Sequence, residues 1–111
     1  MKISKQQSGD INVITIEEKE ANLSNSDEFK ELILKEISAG SRKLIISFKQ
    51  VEYLDSSFLG ALVAILKALL PYNGKLILTD MNDDIVNLFQ LTRLDKIFIL
   101  HNDLENAVKE F

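Results

Sequence analysis

Apolar and polar positions along this chain recur with two different periods, and the changes of period divide it into strands and helices. Met1 and Ile3 alternate with polar residues, Ser8-Gly9-Asp10 marks a turn, and Ile11 to Ile16 completes an opening hairpin. The polar stretch Asn22 to Ser26 is rich in capping residues. Asn25 with Glu28 resembles a capping box, and Asp27, Glu28 and Glu31 fill a first helical turn. Phe29, Leu32, Ile33 and Ile37 then recur at helical spacing until Gly40 ends the helix. Leu44 to Phe48 and Leu76 to Leu78 are short and continuously apolar, which predicts buried strands, the second after an Asn73-Gly74 turn. A helix is expected from about Asp83 to Leu91, capped by Asn82, with Ile85, Leu88 and Phe89 inward. Ile97 to Leu100 predicts a last strand, and Asp103 to Phe111 a closing helix carrying Leu104, Ala107, Val108 and Phe111 on one side. Strands alternating with helices through short links predict parallel pairing by right-handed crossovers. The expected fold is a single α/β domain over residues 1–111. Its sheet is mixed and mostly parallel, with an N-terminal hairpin and about four helices.

The most informative segment is Tyr53 to Val63, where a short extended stretch ends in Asp55-Ser56-Ser57 and a long apolar helix follows at once. This places hydroxyls at the positive end of a helix dipole, where a phosphate is well tolerated. The same residues are also the preferred helix N-caps, so local chemistry does not separate a cap from a switch. On a helical wheel advancing roughly 100° per residue, Leu59, Leu62, Val63, Leu66, Leu69 and Leu70 form one broad arc. That arc is the expected core face, which makes Ser57 the reachable hydroxyl and Ser56 the more enclosed one. Phe58, Ala61, Ile65 and Ala68 make a further apolar strip. Packing on a neighbouring helix explains it slightly better than docking does. The sharper alternative is a partner-binding surface of Phe58, Ala61 and Ile65, with Gly60 and Ala64 leaving the backbone accessible.

Composition narrows the function classes. The 111 residues suffice for one domain with its own core, and 46% hydrophobic with 27% charged residues is ordinary for a globular protein. Thirteen basic against seventeen acidic residues argues against nucleic acid as a partner. There is no cysteine, which excludes disulfides, thiolate metal sites and thiol catalysis and suits a reducing cytoplasm. The N-terminus has no apolar targeting core, and Phe58 to Leu70, interrupted by Lys67, falls short of the ~20 residues a membrane span needs. His101 is the only histidine, forty-odd residues beyond the serines, and a capping or surface role suits it better than catalysis. Asp80, Asp83 and Asp84 read as helix-start acids rather than a cation site, and the four glycines form no phosphate loop. No cofactor or metal is expected.

Leu54-Asp55-Ser56-Ser57 followed by Leu59-Gly60-Ala61-Leu62 resembles the signature of the STAS family, the sulphate transporter and anti-sigma factor antagonist domains. Leu88 to Phe98 resembles that family's helix-to-strand passage, and element order agrees over nearly the whole chain. The resemblance implies a bacterial anti-sigma factor antagonist that binds an anti-sigma factor with serine kinase activity and releases a sigma factor. It also implies that Ser57 is the phosphoacceptor, with Ser56 the less favoured choice, and that a serine phosphatase resets the switch. Two departures stand out: Phe58 where the family commonly has Gly, and Arg93 where a Gly often ends the third helix. Phe58 bears on kinase access, whereas Arg93 is read as a structural change only. Alternatives are a stressosome-like scaffold or a lipid-transport accessory subunit without phospho-control, a homodimer through the Phe58 strip, and a small enzyme using Ser57 as nucleophile.

Overall fold

The computed structural model describes residues 1–111. Strands β1 (Ile3–Ser8) and β2 (Ile11–Ile16) form the expected antiparallel hairpin, with Gly9 at φ 62° in its turn. The chain then continues through β3 (Glu20–Ala21), α1 (Ser26–Ser38), β4 (Lys43–Ser47), β5 (Tyr53–Leu54) and α2 (Ser56–Leu69). A 3-10 turn at Leu70–Tyr72 leads to β6 (Lys75–Thr79) and α3 (Asp83–Leu91). Another 3-10 turn, at Leu94–Lys96, precedes β7 (Ile99–His101) and α4 (Leu104–Lys109). The main sheet has the order β1-β2-β4-β6-β7, parallel except for the first pair, and β3 pairs with β5 in a separate parallel ribbon.

Strand alternation gives the sheet two unlike faces. Ile14, Ile16, Leu44, Ile46, Leu76 and Leu78 point to the front, where α1, α2 and α3 cover them. Phe29, Ile33 and Ile37 of α1, Leu62, Ile65 and Leu69 of α2, and Ile85 and Phe89 of α3 fill that core. The back face carries Ile11, Val13, Ile45 and Ile77, and only the short α4 closes over it, through Ala107 and Val108.

Helix α2 is rotated by roughly 75° from its expected facing, as read on a 100° wheel. Its buried stripe is Phe58, Leu59, Ala61, Leu62, Ile65 and Leu69, while Val63 and Leu66 are half-buried and Leu70 is exposed. Phe58, Ala61 and Ile65 are therefore core residues, exposed by only 0%, 6% and 0%, and do not form a docking surface. The cause is α1: Phe58 stacks on Phe29 with ring centroids 5.0 Å apart, so this flank packs on a neighbouring helix, the explanation the sequence slightly favoured, and not on a partner. The same rotation reverses the serines, leaving Ser56 exposed and Ser57 half-buried. Two smaller expectations also change. Ile97 lies outside the last strand, and Asn25 precedes α1 without capping it through its side chain. Arg93, at φ 63°, occupies the left-handed position after α3 that a glycine would adopt without strain.

Because Phe58 is a filled core position, Phe58→Ala is expected to lose about 3–5 kcal/mol of stability in urea denaturation. Little loss would mean that the Phe58–Phe29 stack is not what sets the facing of α2.

Candidate functional site

The site is organised around the start of α2. Asp55 is its N-cap, in extended geometry at φ −108° and ψ 178°, and its Oδ1 accepts the Phe58 N–H at 3.0 Å. Its Oδ2 accepts the Leu23 N–H at 3.0 Å, so the same carboxylate ties the β3–α1 loop to the helix. The Asp55 N–H donates to the Ala21 carbonyl at 3.1 Å, extending the β3–β5 pairing into this turn.

The β3–α1 loop is held by its own amides. Asn22 Oδ1 accepts from the Ser24 N–H at 3.0 Å. Asn25 Oδ1 accepts from the Asn22 N–H at 3.0 Å, while its Nδ2 donates to the Glu20 carbonyl at 2.8 Å. The capping-box residue thus spends its side chain on folding the loop. The outcome is a polar loop that presents Leu23, 73% exposed, beside Tyr53, 56% exposed. Neither residue stood out in the apolar periodicity. Leu23 was legible as a lone large aliphatic within a run of Asn and Ser.

An open cleft of about 470 Å³ lies on the other side, between β5, the first turn of α2 and α3, with Tyr53, Ser56, Ile85 and Leu88 among its walls. Asn82 fixes the far wall, its Oδ1 accepting from the Ile85 N–H at 2.9 Å and its Nδ2 donating to the Glu52 carbonyl at 3.1 Å. Glu52, Asp55 and Asp84 make the surroundings of the exposed Ser56 acidic. The α2 N-terminus supplies the opposing positive dipole end, with no acid in its own first turn.

The remaining candidates fall elsewhere. His101 ends β7 on the back of the sheet, and its Nε2 lies 2.9 Å from Glu110 Oε1. That hydrogen bond, and then the charge of Lys75, hold the Glu110 carboxyl below its usual range. The sheet therefore separates the one histidine from Ser57. Asp83 and Asp84 occupy the first turn of α3, whereas Asp80 sits before it at φ 60°. No group of three or more His, Asp or Glu side chains is placed to hold a metal ion.

Compared with known families, residues 2–107 match the STAS domain. The chain belongs to the STAS domain family. A Thermotoga maritima relative, named for an inferred role as an anti-sigma factor antagonist, is 31% identical over 99 residues, 88% of each chain. A crystal structure from Thermotoga maritima, with the same inferred role in its description, superposes with a TM-score of 0.93 at 28% identity, covering 97% of this chain and 92% of that one. The Bacillus cell fate determinant SpoIIAA in its phosphorylated form shares the fold, with a TM-score of 0.73 at 19% identity and 98% of both chains covered. In this STAS domain the family's acid-and-hydroxyl stretch is the capped start of α2, and Phe58, which replaces a common glycine, points into the core.

Removal of the Asp55 carboxylate takes away a cap and a loop anchor together. Asp55→Ala is expected to lose about 1–2 kcal/mol in urea denaturation, with Asp55→Asn losing less. Hydrogen exchange should quicken at the Leu23 and Phe58 amides. Unchanged exchange at Leu23 would show that the loop holds its shape without Asp55.

Proposed function

We propose that this chain is an anti-sigma factor antagonist acting in the cytoplasm. Unmodified, it binds an anti-sigma factor that is also a serine kinase and thereby frees a sigma factor. Phosphorylation of Ser57 switches the binding off, and a serine phosphatase restores it. The observation that carries this reading is the start of α2: two hydroxyls at a capped, positive helix end, flanked by exposed Leu23 and Tyr53. The named roles of the relatives support the same reading.

The docking contacts in this account are Leu23, Tyr53 and Ser56, in place of the buried Phe58, Ala61 and Ile65. Phe58 is 0% exposed, so its ring lies away from the surface that a kinase would approach. Ser57 is the phosphoacceptor by its match to the family stretch, while Ser56 competes through its greater exposure. A phosphate on Ser57 adds about −1.5 to −2 charges within the first turn of a helix, where the dipole stabilises it in the free protein. Facing a partner, the same group presents a dianion beside Asp55 that has to be desolvated. A penalty of about 3 kcal/mol corresponds to roughly a hundredfold weaker binding.

The test is affinity for the kinase captured from the native cell. Ser57→Ala should bind it like the unmodified protein, and Ser57→Glu about a hundredfold more weakly. Mass spectrometry after kinase treatment should place the phosphate on Ser57. A phosphate on Ser56 alone would move the control point by one residue. Equal binding by both variants would instead favour a scaffold or transport-accessory role.

A further inference from the structure

The back of the sheet carries a polar row that the partner switch does not use. In the parallel register Thr15 pairs with Ser47, Ser47 with Thr79, and Thr79 with His101. Each lies two residues beyond a back-facing apolar residue (Val13, Ile45, Ile77 and Ile99), so all four project from the face opposite α1, α2 and α3. They lie at the carboxyl ends of four parallel strands, the edge where open α/β sheets bind ligands.

Two of these hydroxyls are deeply buried and poorly satisfied. Thr79 is 0% exposed, and its Oγ1 has no hydrogen-bond partner. Ser47 is 7% exposed and makes only long contacts, 3.5 Å to Asp80 Oδ2 and 3.4 Å from the Lys49 N–H. Buried hydroxyls normally find partners, and leaving one unpaired is unfavourable. Ser47, the strand neighbour of Thr79, opens onto a cleft of about 440 Å³, walled also by Thr15 and Asp80 and floored in part by Val13 and Leu104.

We propose that this cleft is a separate binding site, for a small aliphatic ligand that carries a protonated amine. The rim holds Asp80, Asp103 and Glu105 against the single cation Lys49, which disfavours phosphates and other anions. Those carboxylates do not converge as metal ligands do, so a compact divalent ion does not fit. Asp103 caps α4 and Glu105 faces Lys109, whereas Asp80 forms no ion pair. An ammonium group donating to Asp80 and to the Ser47 and Thr15 oxygens would meet the acceptors present. Its methylene stem would cover Val13 and Leu104. Two sources share this chemistry, an aliphatic diamine and an amino acid, and in the amino acid a carboxylate would turn toward Lys49.

The test is titration of the full ¹⁵N-labelled chain with putrescine and with L-lysine at constant ionic strength. Saturable amide shifts at Thr15, Ser47, Thr79 and Asp80 with either probe are expected. Asp80→Asn should weaken binding about tenfold or more. Ser47→Ala removes a hydroxyl that lines the cleft and should also weaken binding. Weakening of L-lysine alone by Lys49→Ala assigns amino acids, and binding of putrescine alone assigns diamines. Shifts absent from these residues, shifts reproduced by sodium chloride, or unchanged binding by the Asp80 and Ser47 variants would overturn the proposal. None of these readouts involves the kinase, so the site stands or falls independently of the switch.

Discussion

One carboxylate, that of Asp55, holds two amides that belong to different parts of the chain, and the candidate surface at the start of α2 depends on that bridge. Its Oδ1 starts α2 at Phe58 and its Oδ2 anchors the β3–α1 loop at Leu23. Hydrogen bonds to a charged acceptor are among the stronger ones. Phe58 receives both constraints at once, since its amide is capped while its ring is stacked on Phe29. The first turn of α2 is thus fixed in position and in rotation, which determines how Ser56 and Ser57 are presented. A loop released from Asp55 would take Leu23 away from Tyr53 and divide the surface that the proposed partner contacts.

The sheet adds a further constraint by being covered unequally. Three helices bury its front in one continuous apolar core, whereas α4 closes only part of the back. The front therefore supports the start of α2 from beneath, where the proposed phosphorylation would add charge to an already capped helix end. The back is dry around Ile45 and Ile77 but ends in a row of hydroxyls near the strand ends. The two surfaces differ accordingly: an exposed, partly apolar edge suited to a protein, and a recessed polar cleft suited to a small molecule.

Much of this architecture was legible in the sequence because its boundaries coincide with residues of distinct backbone chemistry. Gly40 at φ 114° ends α1, Asn73 at φ 55° turns the chain into β6, and Asn82 caps α3 as expected. The hairpin and the buried strands followed from period and composition. The facing of α2 did not, because the helix is apolar on nearly all sides and a wheel then has no polar face to orient it. Phe29 settles the orientation through a contact between residues 29 positions apart, which no local pattern carries. The β3–β5 ribbon, with two residues in each strand, is too short to show a period. Within the site, Asp55 and both serines were evident from residue type and position. The roles of Leu23 and Tyr53 emerged only once the fold had brought them together beside Asp55.

In the proposed switch, phosphate at Ser57 changes the surface charge at the start of α2 and leaves the fold intact. The most direct measurement compares amide spectra of the full chain before and after stoichiometric phosphorylation by its kinase. Shifts are expected only in the first turn of α2, the Leu23 loop and Tyr53, with the amides of β4, β6 and α1 unmoved. Shifts spread through the sheet and α1 would contradict it, because the switch would then work by refolding the domain and not by charge.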